Sequence, residues 1–334
     1  MSLSNVSWME DIPNDDVTHM IGLGLESNFS TLGEDRMFYY HRGIIGEKDI
    51  VRPIIVLIHG YPQTNFMWRH IIPLLPRDTP LFIPDVPGYG RSMPLSGRHD
   101  KRTVSNNILN NLHLHLPPTQ DGIRTPIILV GHDRGARLCH RMAVDVSRYN
   151  LNIVGTVFLD IVPTLVQFWS FSNPSSSVGT FHWPFLANAE LATNMIKAYG
   201  GDNWVKMCID RWAGKNEVSL AKLESDNATN VYAQFFKKTS VIRASCDDYR
   251  AGADEDVKLQ ETDQKAGRKI NIDVLVLYSG DYLGERYDVQ EVWGEWMDKG
   301  NLDTKDIGDG CGHFIAEEKP LETVAAILKF YDKF

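Results

Sequence analysis

The sequence PIILVGHDRG, residues 126–135, contains the turn that decides the fold and the chemistry of this chain. Its apolar, partly β-branched start predicts a buried strand, and the segment after it has a helical pattern. Glycines at positions 131 and 135 permit a tight turn that lifts the side chain between them clear of the sheet. That residue is Asp133, whose carboxylate is ionised at neutral pH and attacks carbon without a base. The motif favours displacement at a saturated carbon over serine esterase chemistry.

Strand-like and helix-like segments alternate around this turn, which favours an α/β fold with a mostly parallel sheet. Continuous apolar runs are typical of strands that are covered on both faces. The sequence predicts strands at residues 36–41, 53–59, 81–85, 126–131, 154–160, 273–279 and 302–307. It predicts helices at residues 103–116, 134–149 and 321–330.

The alternation stops after Pro163, and the chain to about Lys269 is rich in aromatic residues and mostly helical. We interpret residues 164–269 as a helical lid inserted into a core domain formed by residues 1–163 and 270–334. Such a lid would cover the carboxyl ends of the strands, where open α/β sheets bind ligands. The stretch NPSSSVG at residues 173–179 predicts a flexible loop within the lid.

Composition and charge limit the partners and cofactors of the 334-residue chain. Its net charge is -9 and it has no basic stripe, so nucleic-acid binding is not expected. It has no apolar run of roughly 18 residues, so no membrane span is expected. The polar N-terminus is unlike a signal peptide and the four cysteines are widely spaced, which favours a cytoplasmic protein with reduced thiols. Metal-ligand spacings and a P-loop are missing, so we expect no cofactor and a small-molecule substrate.

His313 is the candidate catalytic base, because it lies after the last predicted strand and has glycines close before it in the segment GCGHF, residues 310–314. Two carboxylates are candidates for orienting its ring. Asp160 ends a predicted buried strand, where a carboxylate needs a partner to offset desolvation, and we assign it this role. Asp281, in the turn SGDYL at residues 279–283, is the alternative and is interpreted as a solvated turn residue.

The chain resembles the fluoroacetate dehalogenases of the α/β-hydrolase superfamily over most of its length. The resemblance is carried by GHDRGAR and HRMA (131–137 and 140–143), HGYPQ (59–63), DVPGYGRS (85–92), LDIVPT (159–164) and CDDYRA (246–251). Epoxide hydrolases and haloalkane dehalogenases share the glycine-flanked turn at Asp133 and the HGxP pattern, so these two motifs indicate only the superfamily. The resemblance implies the α/β-hydrolase fold, with an eight-stranded sheet flanked by helices and a lid, or cap, inserted after the sixth strand.

Two arginines follow the nucleophile on one face of the predicted helix. Arg134 and Arg137 are cations near a helix N-terminus, which is unfavourable unless an anion binds there. In the family that the chain resembles, the matching arginines hold the substrate carboxylate, which would aim the α-carbon of a 2-haloacid at Asp133. The alternative is ion pairing with acidic residues of neighbouring loops. Arg141 continues the same face and is expected to form a structural ion pair.

Three lid residues are candidates for binding the departing halide. His182 and Trp183 match the family's His-Trp pair, and Tyr232 matches its tyrosine, with Tyr199 as another donor to consider. Imidazole, indole and phenol groups are hydrogen-bond donors with apolar bodies, and they suit fluoride, whose charge must be solvated as it leaves. The alternative is that these aromatic residues simply pack. Epoxide hydrolases of this fold use two lid tyrosines, and His182 stands where the first of them would be.

The resemblance implies hydrolysis through an ester of Asp133 formed with a small 2-haloacid such as fluoroacetate. His313, oriented by Asp160, would activate the water that hydrolyses this ester, and the backbone N–H groups of Tyr61 and Arg134 would stabilise the oxyanion. One alternative is an epoxide hydrolase, or another hydrolase of a secondary metabolite, that uses the same ester chemistry. A non-catalytic ligand receptor is the third interpretation, against which the complete set of catalytic residues argues. Relatives often form homodimers, so a homodimer is a further expectation.

Overall fold

The computed structural model describes residues 12–47, 50, 52–117, 124–308 and 310–334 of the chain. Within these residues, eight strands form a single sheet. In chain order the strands are β1 (Glu26–Leu32), β2 (Asp35–Arg42), β3 (Ile54–Ile58), β4 (Leu81–Pro84), β5 (Pro126–His132), β6 (Asn152–Leu159), β7 (Asp273–Tyr278) and β8 (Leu302–Asp306).

The order of the strands across the sheet is β1-β2-β4-β3-β5-β6-β7-β8. β2 runs antiparallel to its neighbours β1 and β4, and the other strand pairs of the described sheet are parallel. Every side chain of β3 and β4 is buried, as the continuous apolar sequences of these strands predict. The prediction of a mostly parallel eight-stranded sheet is confirmed.

The sequence did not predict β1, which pairs with β2 at the edge of the described sheet. Its sequence, ESNFSTL, is mostly polar, and its side chains are exposed or half-buried. An edge strand of this kind lacks the apolar run that identified the central strands, because only part of its surface is covered.

Helices surround the sheet and fill the interval between β6 and β7. Two π-helical turns, Gly252–Asp256 and Gly280–Gly284, and several short 3₁₀ segments accompany them. In the described residues the α-helices are α1 (Asp15–Gly22), α2 (Lys101–His113), α3 (Arg134–Val144), α4 (Thr164–Trp169), α5 (Pro174–Gly179), α6 (His182–Ala187), α7 (Ala189–Tyr199), α8 (Gly201–Trp212), α9 (Glu217–Glu224), α10 (Ala228–Phe235), α11 (Thr239–Ala251), α12 (Val257–Lys265), α13 (Val289–Gly294), α14 (Ile315–Glu318) and α15 (Pro320–Tyr331).

The interval between β6 and β7 contains helices α4 to α12 and no strand, and the structure describes all of its residues. The expectation of a flexible loop at residues 173–179 is wrong, because Pro174–Gly179 forms the short helix α5. Asn173 caps this helix by accepting hydrogen bonds from the N–H groups of Ser175 and Ser176, and proline occupies the first turn. Asn-Pro is therefore a helix start at this point. The division into core and lid domains stays a prediction.

The carboxyl ends of the parallel strands place the predicted catalytic residues along one edge of the sheet. Asp133 directly follows β5, Asp160 directly follows β6, and His313 lies between β8 and α14. Residues of α6, α8 and α11 reach the same edge and line a cavity together with Asp133. In the part of the chain that the structure describes, no helix has the length and apolar character needed to cross a membrane.

Candidate active site

The turn at Asp133 is strained in the way that its sequence predicts. Asp133 has φ +46° and ψ −113°, a backbone conformation that residues other than glycine rarely adopt. A Cβ at Gly135 would overlap the carbonyl oxygen of Ile58, and a Cβ at Gly131 would overlap the backbone of Gly135. Both glycines are therefore required by close backbone approach, and together they hold the Asp133 carboxylate at the end of β5.

Asp133, Asp160 and His313 come together at this edge. The Nδ1 atom of His313 lies 2.6 Å from Oδ2 of Asp160, whose Oδ1 accepts a hydrogen bond from the N–H of Ser279 at 2.9 Å. On the other side of the ring, Nε2 lies 3.7 Å from Oδ2 of Asp133. Asp281 is exposed and instead accepts a hydrogen bond from the N–H of Gly310. The geometry therefore favours Asp160 over Asp281 as the partner of the histidine.

The charges of the two carboxylates control the protonation of His313. Burial disfavours the imidazolium, but the interactions with Asp133 and Asp160 outweigh burial and raise the pKa of His313 from 6.5 to about 9. Burial likewise opposes ionisation of Asp133, and His313 is the main group that reverses this effect and holds the pKa of Asp133 well below its usual value. At neutral pH the site therefore contains an ionised nucleophile beside a protonated histidine.

One of the two predicted oxyanion donors already contacts the nucleophile. The N–H of Tyr61 donates a hydrogen bond to Oδ1 of Asp133 at 2.9 Å. Among the described residues, the structure shows no such contact for the N–H of Arg134. The two carboxylate oxygens of Asp133 therefore have different environments, because Oδ1 accepts a backbone hydrogen bond and Oδ2 faces His313.

The side chain of Arg134 forms an ion pair, as the alternative interpretation expected. Its Nε and Nη2 atoms lie 2.7 and 3.1 Å from the carboxylate of Asp248, which also contacts Lys101 and the hydroxyl of Tyr89. Arg134 does not line the cavity formed by the described residues. The carboxylate-binding role of Arg134 stays a prediction: Asp248, which sequence spacing does not reveal, balances its charge, while its buried Nη1 has no hydrogen-bond partner among the described residues.

Arg137 differs from Arg134 because no carboxylate of the described residues pairs with it. Its Nη1 donates to the carbonyl oxygen of Val162 at 2.8 Å and to the hydroxyl of Thr164 at 3.2 Å, and its buried Nε has no hydrogen-bond partner there. Burial and the neighbouring Arg134 lower the pKa of Arg137 from 12.5 to about 10, so the guanidinium remains charged at neutral pH. Because Arg137 lines the cavity, an anionic ligand could reach it.

The cavity next to Asp133 is small, with a volume of about 30 Å³. His182 and Trp183 line it, as the sequence predicts for halide-binding residues. Burial lowers the pKa of His182 to about 3, so the ring is neutral at pH 7, and its Nδ1 has no partner among the described residues. The other lining residues are Asp133, Arg137, Asp160, Ile161, Gln167, Thr180, Trp212, Tyr249, Tyr282, Leu283, Arg286 and His313.

Tyr232 does not belong to this cavity. Its hydroxyl donates a hydrogen bond to Glu317 at 2.8 Å and accepts one from Arg69 at 3.3 Å. Both interactions belong to a buried cluster outside the cavity of Asp133. Tyr199 is 56% exposed and also lies outside the cavity. Neither tyrosine that the sequence proposed as a lid donor is therefore placed to contact a departing halide.

Comparison with known proteins gives the family of the chain. The profile described as "Alpha/beta hydrolase family" matches residues 55–327. The chain belongs to the α/β hydrolase family. This assignment covers the strands from β3 onward, the whole helical interval and the loop of His313.

Relatives of this α/β hydrolase include enzymes with two different activities. It is 28% identical to a fluoroacetate dehalogenase from a Burkholderia species, over 83% of this chain and 86% of that protein. It is 29% identical to a soluble epoxide hydrolase from Corynebacterium sp. strain C12, over 83% and 89%. A solved structure from Nostoc sp. PCC 7120, provisionally assigned as an α/β hydrolase, superposes with a TM-score of 0.75, 30% identity and 92% and 97% coverage. The comparisons support a hydrolase related to both activities.

The structure of this α/β hydrolase adds Tyr249, a cavity residue that the sequence analysis missed. Tyr249 lies on α11 directly after Asp248, and its ring packs 5.3 Å from Trp183 and 6.1 Å from His182, measured between centroids. The available signal was the family-like segment CDDYRA, residues 246–251, which contains this tyrosine. Tyr282, from the π-helical turn after β7, also lines the cavity, and its ring lies 5.3 Å from that of His313.

Proposed function

We propose that this α/β hydrolase removes halide from a small 2-haloacid of the fluoroacetate type through an ester of Asp133. The observation that carries the proposal is Arg137, a buried cation that lines the cavity of the nucleophile without a carboxylate partner among the described residues. Burying an unpaired charge is costly, so the arrangement favours a ligand that supplies the missing anion. A substrate carboxylate at Arg137 would leave the adjacent carbon facing Asp133.

In the first step, a carboxylate oxygen of Asp133 attacks the halogen-bearing carbon and the carbon–halogen bond breaks with its electron pair. Asp133 needs no base for this step, because its low pKa keeps it ionised. The departing halide would accept hydrogen bonds from His182, Trp183 and Tyr249, polar aromatic residues that line the cavity together with Trp212, whose buried Nε1 has no hydrogen-bond partner among the described residues. Donors matter most for fluoride, since it is the poorest leaving group among the halides.

Formation of the ester prepares His313 for the second step. The ionised carboxylate of Asp133 helps to hold the pKa of His313 near 9, and esterification removes that charge. His313 then loses its proton more readily and can accept one from water. The water oxygen bonds to the ester carbonyl carbon, and the carbonyl oxygen gains negative charge that the N–H of Tyr61 stabilises.

Collapse of this intermediate breaks the ester bond and regenerates the enzyme. The released 2-hydroxyacid takes the proton from His313, and Asp133 loses the remaining proton of the water to solvent. One carboxylate oxygen of Asp133 then comes from water, and the hydroxyl oxygen of the 2-hydroxyacid comes from Asp133. Nε2 of His313 lies 3.7 Å from Oδ2 of Asp133, which keeps the ring beside the carboxyl group whose ester it would help to hydrolyse.

Epoxide hydrolysis by the same nucleophile is the second candidate. The hydroxyl groups of Tyr249 and Tyr282 belong to residues of the cavity wall and could donate a proton to an epoxide oxygen. The relationship to a soluble epoxide hydrolase supports this candidate as much as the other relative supports dehalogenation. An uncharged epoxide leaves the charge of Arg137 without a partner, and for this reason we favour the haloacid.

A direct comparison of products distinguishes the two activities. Fluoride release from fluoroacetate is measured with an ion-selective electrode beside diol formation from styrene oxide, at equal enzyme concentration. The proposal expects fluoride release that saturates with substrate and disappears in Asp133→Asn. Diol formation without fluoride release would favour the epoxide hydrolase, and activity on neither substrate would reject both assignments.

A further inference from the structure

Two adjacent glutamates end helix α14, and both side chains are buried completely. Glu317 pairs with the guanidinium of Arg69 and accepts a hydrogen bond from Tyr232. In the described residues, the hydrogen-bond partners of Glu318 are backbone N–H groups, and none of them is a cationic side chain. Burying a carboxylate costs free energy unless it accepts hydrogen bonds or pairs with a cation, so the hydrogen bonds of Glu318 must offset this cost.

The carboxylate of Glu318 holds the backbone on both sides of His313. Its Oε2 accepts from the N–H of Gly312 at 2.8 Å, and its Oε1 accepts from the N–H of Phe314 at 3.0 Å. Oε2 also accepts from the N–H of Gly214 in the lid, at 2.9 Å. Hydrogen bonds to an ionised acceptor are stronger than those between neutral groups, so one side chain restrains both residues that flank the histidine.

The remaining backbone groups of His313 are held as well. Its N–H donates to the carbonyl oxygen of Trp212 at 2.8 Å, and its own carbonyl oxygen accepts from Nε2 of His132 at 2.8 Å. The loop also lies tightly against the lid, since a Cβ at Gly312 would overlap the backbone of Gly214. Because the backbone is fixed, the ring can be kept between Asp160 and Asp133.

We propose that Glu318 is a positioning residue that fixes the His313 loop for hydrolysis of the ester. The inference rests on the proposed function, because ester hydrolysis is the step in which His313 acts. Attack by Asp133 needs the charge of His313 nearby but no proton transfer to or from it, so a displaced imidazole slows the second step much more than the first. A residue that only stabilised the fold would change both steps together or neither of them.

The test measures both steps in Glu318→Gln, with the neighbouring Glu317→Gln as a matched control. The amide keeps one acceptor oxygen and turns its NH₂ towards a backbone N–H, so at least one flanking residue loses its acceptor. Rapid-quench mass spectrometry of the peptide containing Asp133 gives the rates of ester formation and decay with fluoroacetate. In Glu318→Gln we expect ester decay to slow at least about tenfold while formation changes less than about twofold. In Glu317→Gln we expect the ratio of the two rates to stay as in the unmodified enzyme.

The ratio is informative even where a variant folds incompletely, because only folded molecules form the ester. If Glu318→Gln does not fold, Glu318→Asp provides the same test, since it retains the charge but shortens the reach. An unchanged ratio in these Glu318 variants, or an equal change in Glu317→Gln, would overturn the inference. The variant His313→Gln separates this failure from a failure of the proposed function. If His313→Gln accumulates the ester and the Glu318 variants do not, only the role of Glu318 is rejected, whereas no ester in any variant rejects the function itself.

Discussion

Arg134 and Arg137 lie one helical turn apart, yet their charges are balanced by different groups. Asp248 pairs with Arg134, whereas Arg137 binds only a carbonyl oxygen and a hydroxyl group among the described residues. Both guanidinium groups lie close to the ring of Trp183. The affinity of the cavity for an anion should therefore depend mainly on Arg137.

Replacing Arg137 should weaken binding of anionic substrates. In Arg137→Met we expect kcat/KM for fluoroacetate to fall roughly 10- to 100-fold, because a charge-assisted hydrogen bond to the substrate is lost. The control substrate is fluoroacetamide, which has the same leaving group and no charge. Steady-state fluoride release from both substrates checks the prediction. An equal decrease in kcat/KM for both would show that Arg137 does not bind the substrate carboxylate.

Two buried tyrosines test the halide site by comparison, because Tyr249 lines the cavity and Tyr232 lies outside it. In Tyr249→Phe we expect fluoride release from fluoroacetate to slow more than chloride release from chloroacetate, because the poorer leaving group needs the donor more. In Tyr232→Phe we expect unchanged rates and a loss of about 1–3 kcal/mol in the free energy of unfolding, since its partners lose a buried hydrogen bond. Halide electrodes and urea unfolding provide the two readouts. A selective effect on fluoride in Tyr232→Phe would contradict the assignment.

At the scale of elements, helix α11 links the helices between β6 and β7 to residues beside the nucleophile. It carries Asp248, which contacts Tyr89, Lys101 and Arg134, and Tyr249, which lines the cavity. The adjacent Asp247 pairs instead with the more exposed Arg243 and Arg250 on the same helix. Two neighbouring aspartates therefore differ in whether they anchor the helix.

Removing the anchor should destabilise the protein strongly. In Asp248→Asn we expect the free energy of unfolding to fall by about 3–5 kcal/mol, because Arg134 becomes a buried cation without its carboxylate and Lys101 keeps only Asp256, at 3.7 Å. In Asp247→Asn we expect a change of about 0–1 kcal/mol, since its partners are more exposed. Urea denaturation of both variants checks the prediction, and similar losses in the two would show that the buried ion pairs do not anchor α11.

The sequence predicted those elements whose local pattern reflects their burial. The central strands were found because they are continuous apolar runs, and β1 was missed because its edge position permits polar residues. Asp133, Asp160 and His313 were identified from their places after strands, which fix them to one edge of a parallel sheet. The pairing of Arg134 with Asp248 could not be predicted, because the partners are 114 residues apart and local sequence patterns do not show which distant segments pack together.

Considered as a whole, the molecule brings residues beside its sheet and residues of the helices between β6 and β7 together at a small cavity. The core supplies Asp133, Asp160 and His313, and the helices supply His182, Trp183 and Tyr249. Of the candidate halide donors, His182 and Trp183 line the cavity and Tyr232 does not, because helical packing, rather than sequence position, decides which aromatic residue faces the cavity. Protonation of the buried histidine links this site to the stability of the whole chain.

The contribution of His313 to stability should decrease at alkaline pH. Its pKa is about 9 in the folded protein and 6.5 in an unfolded reference, so the protonated form favours folding. This contribution, about 3 kcal/mol at most, is full below pH 6.5 and is lost as the pH rises through 9. We expect the difference in unfolding free energy between the unmodified protein and His313→Gln to shrink over this interval. A difference that stays constant in urea titrations across the interval would contradict the predicted coupling to Asp133 and Asp160.

The central claim, that Asp133 becomes bonded to a substrate carbon, is tested most directly by a single turnover in ¹⁸O-labelled water. Enzyme in excess reacts once with fluoroacetate, and mass spectrometry then locates the label in the peptide containing Asp133 and in the product. We predict one heavy oxygen in Asp133 and an unlabelled hydroxyacid. Label in the hydroxyacid, with none in Asp133, would contradict the account, because water would then have attacked the substrate itself.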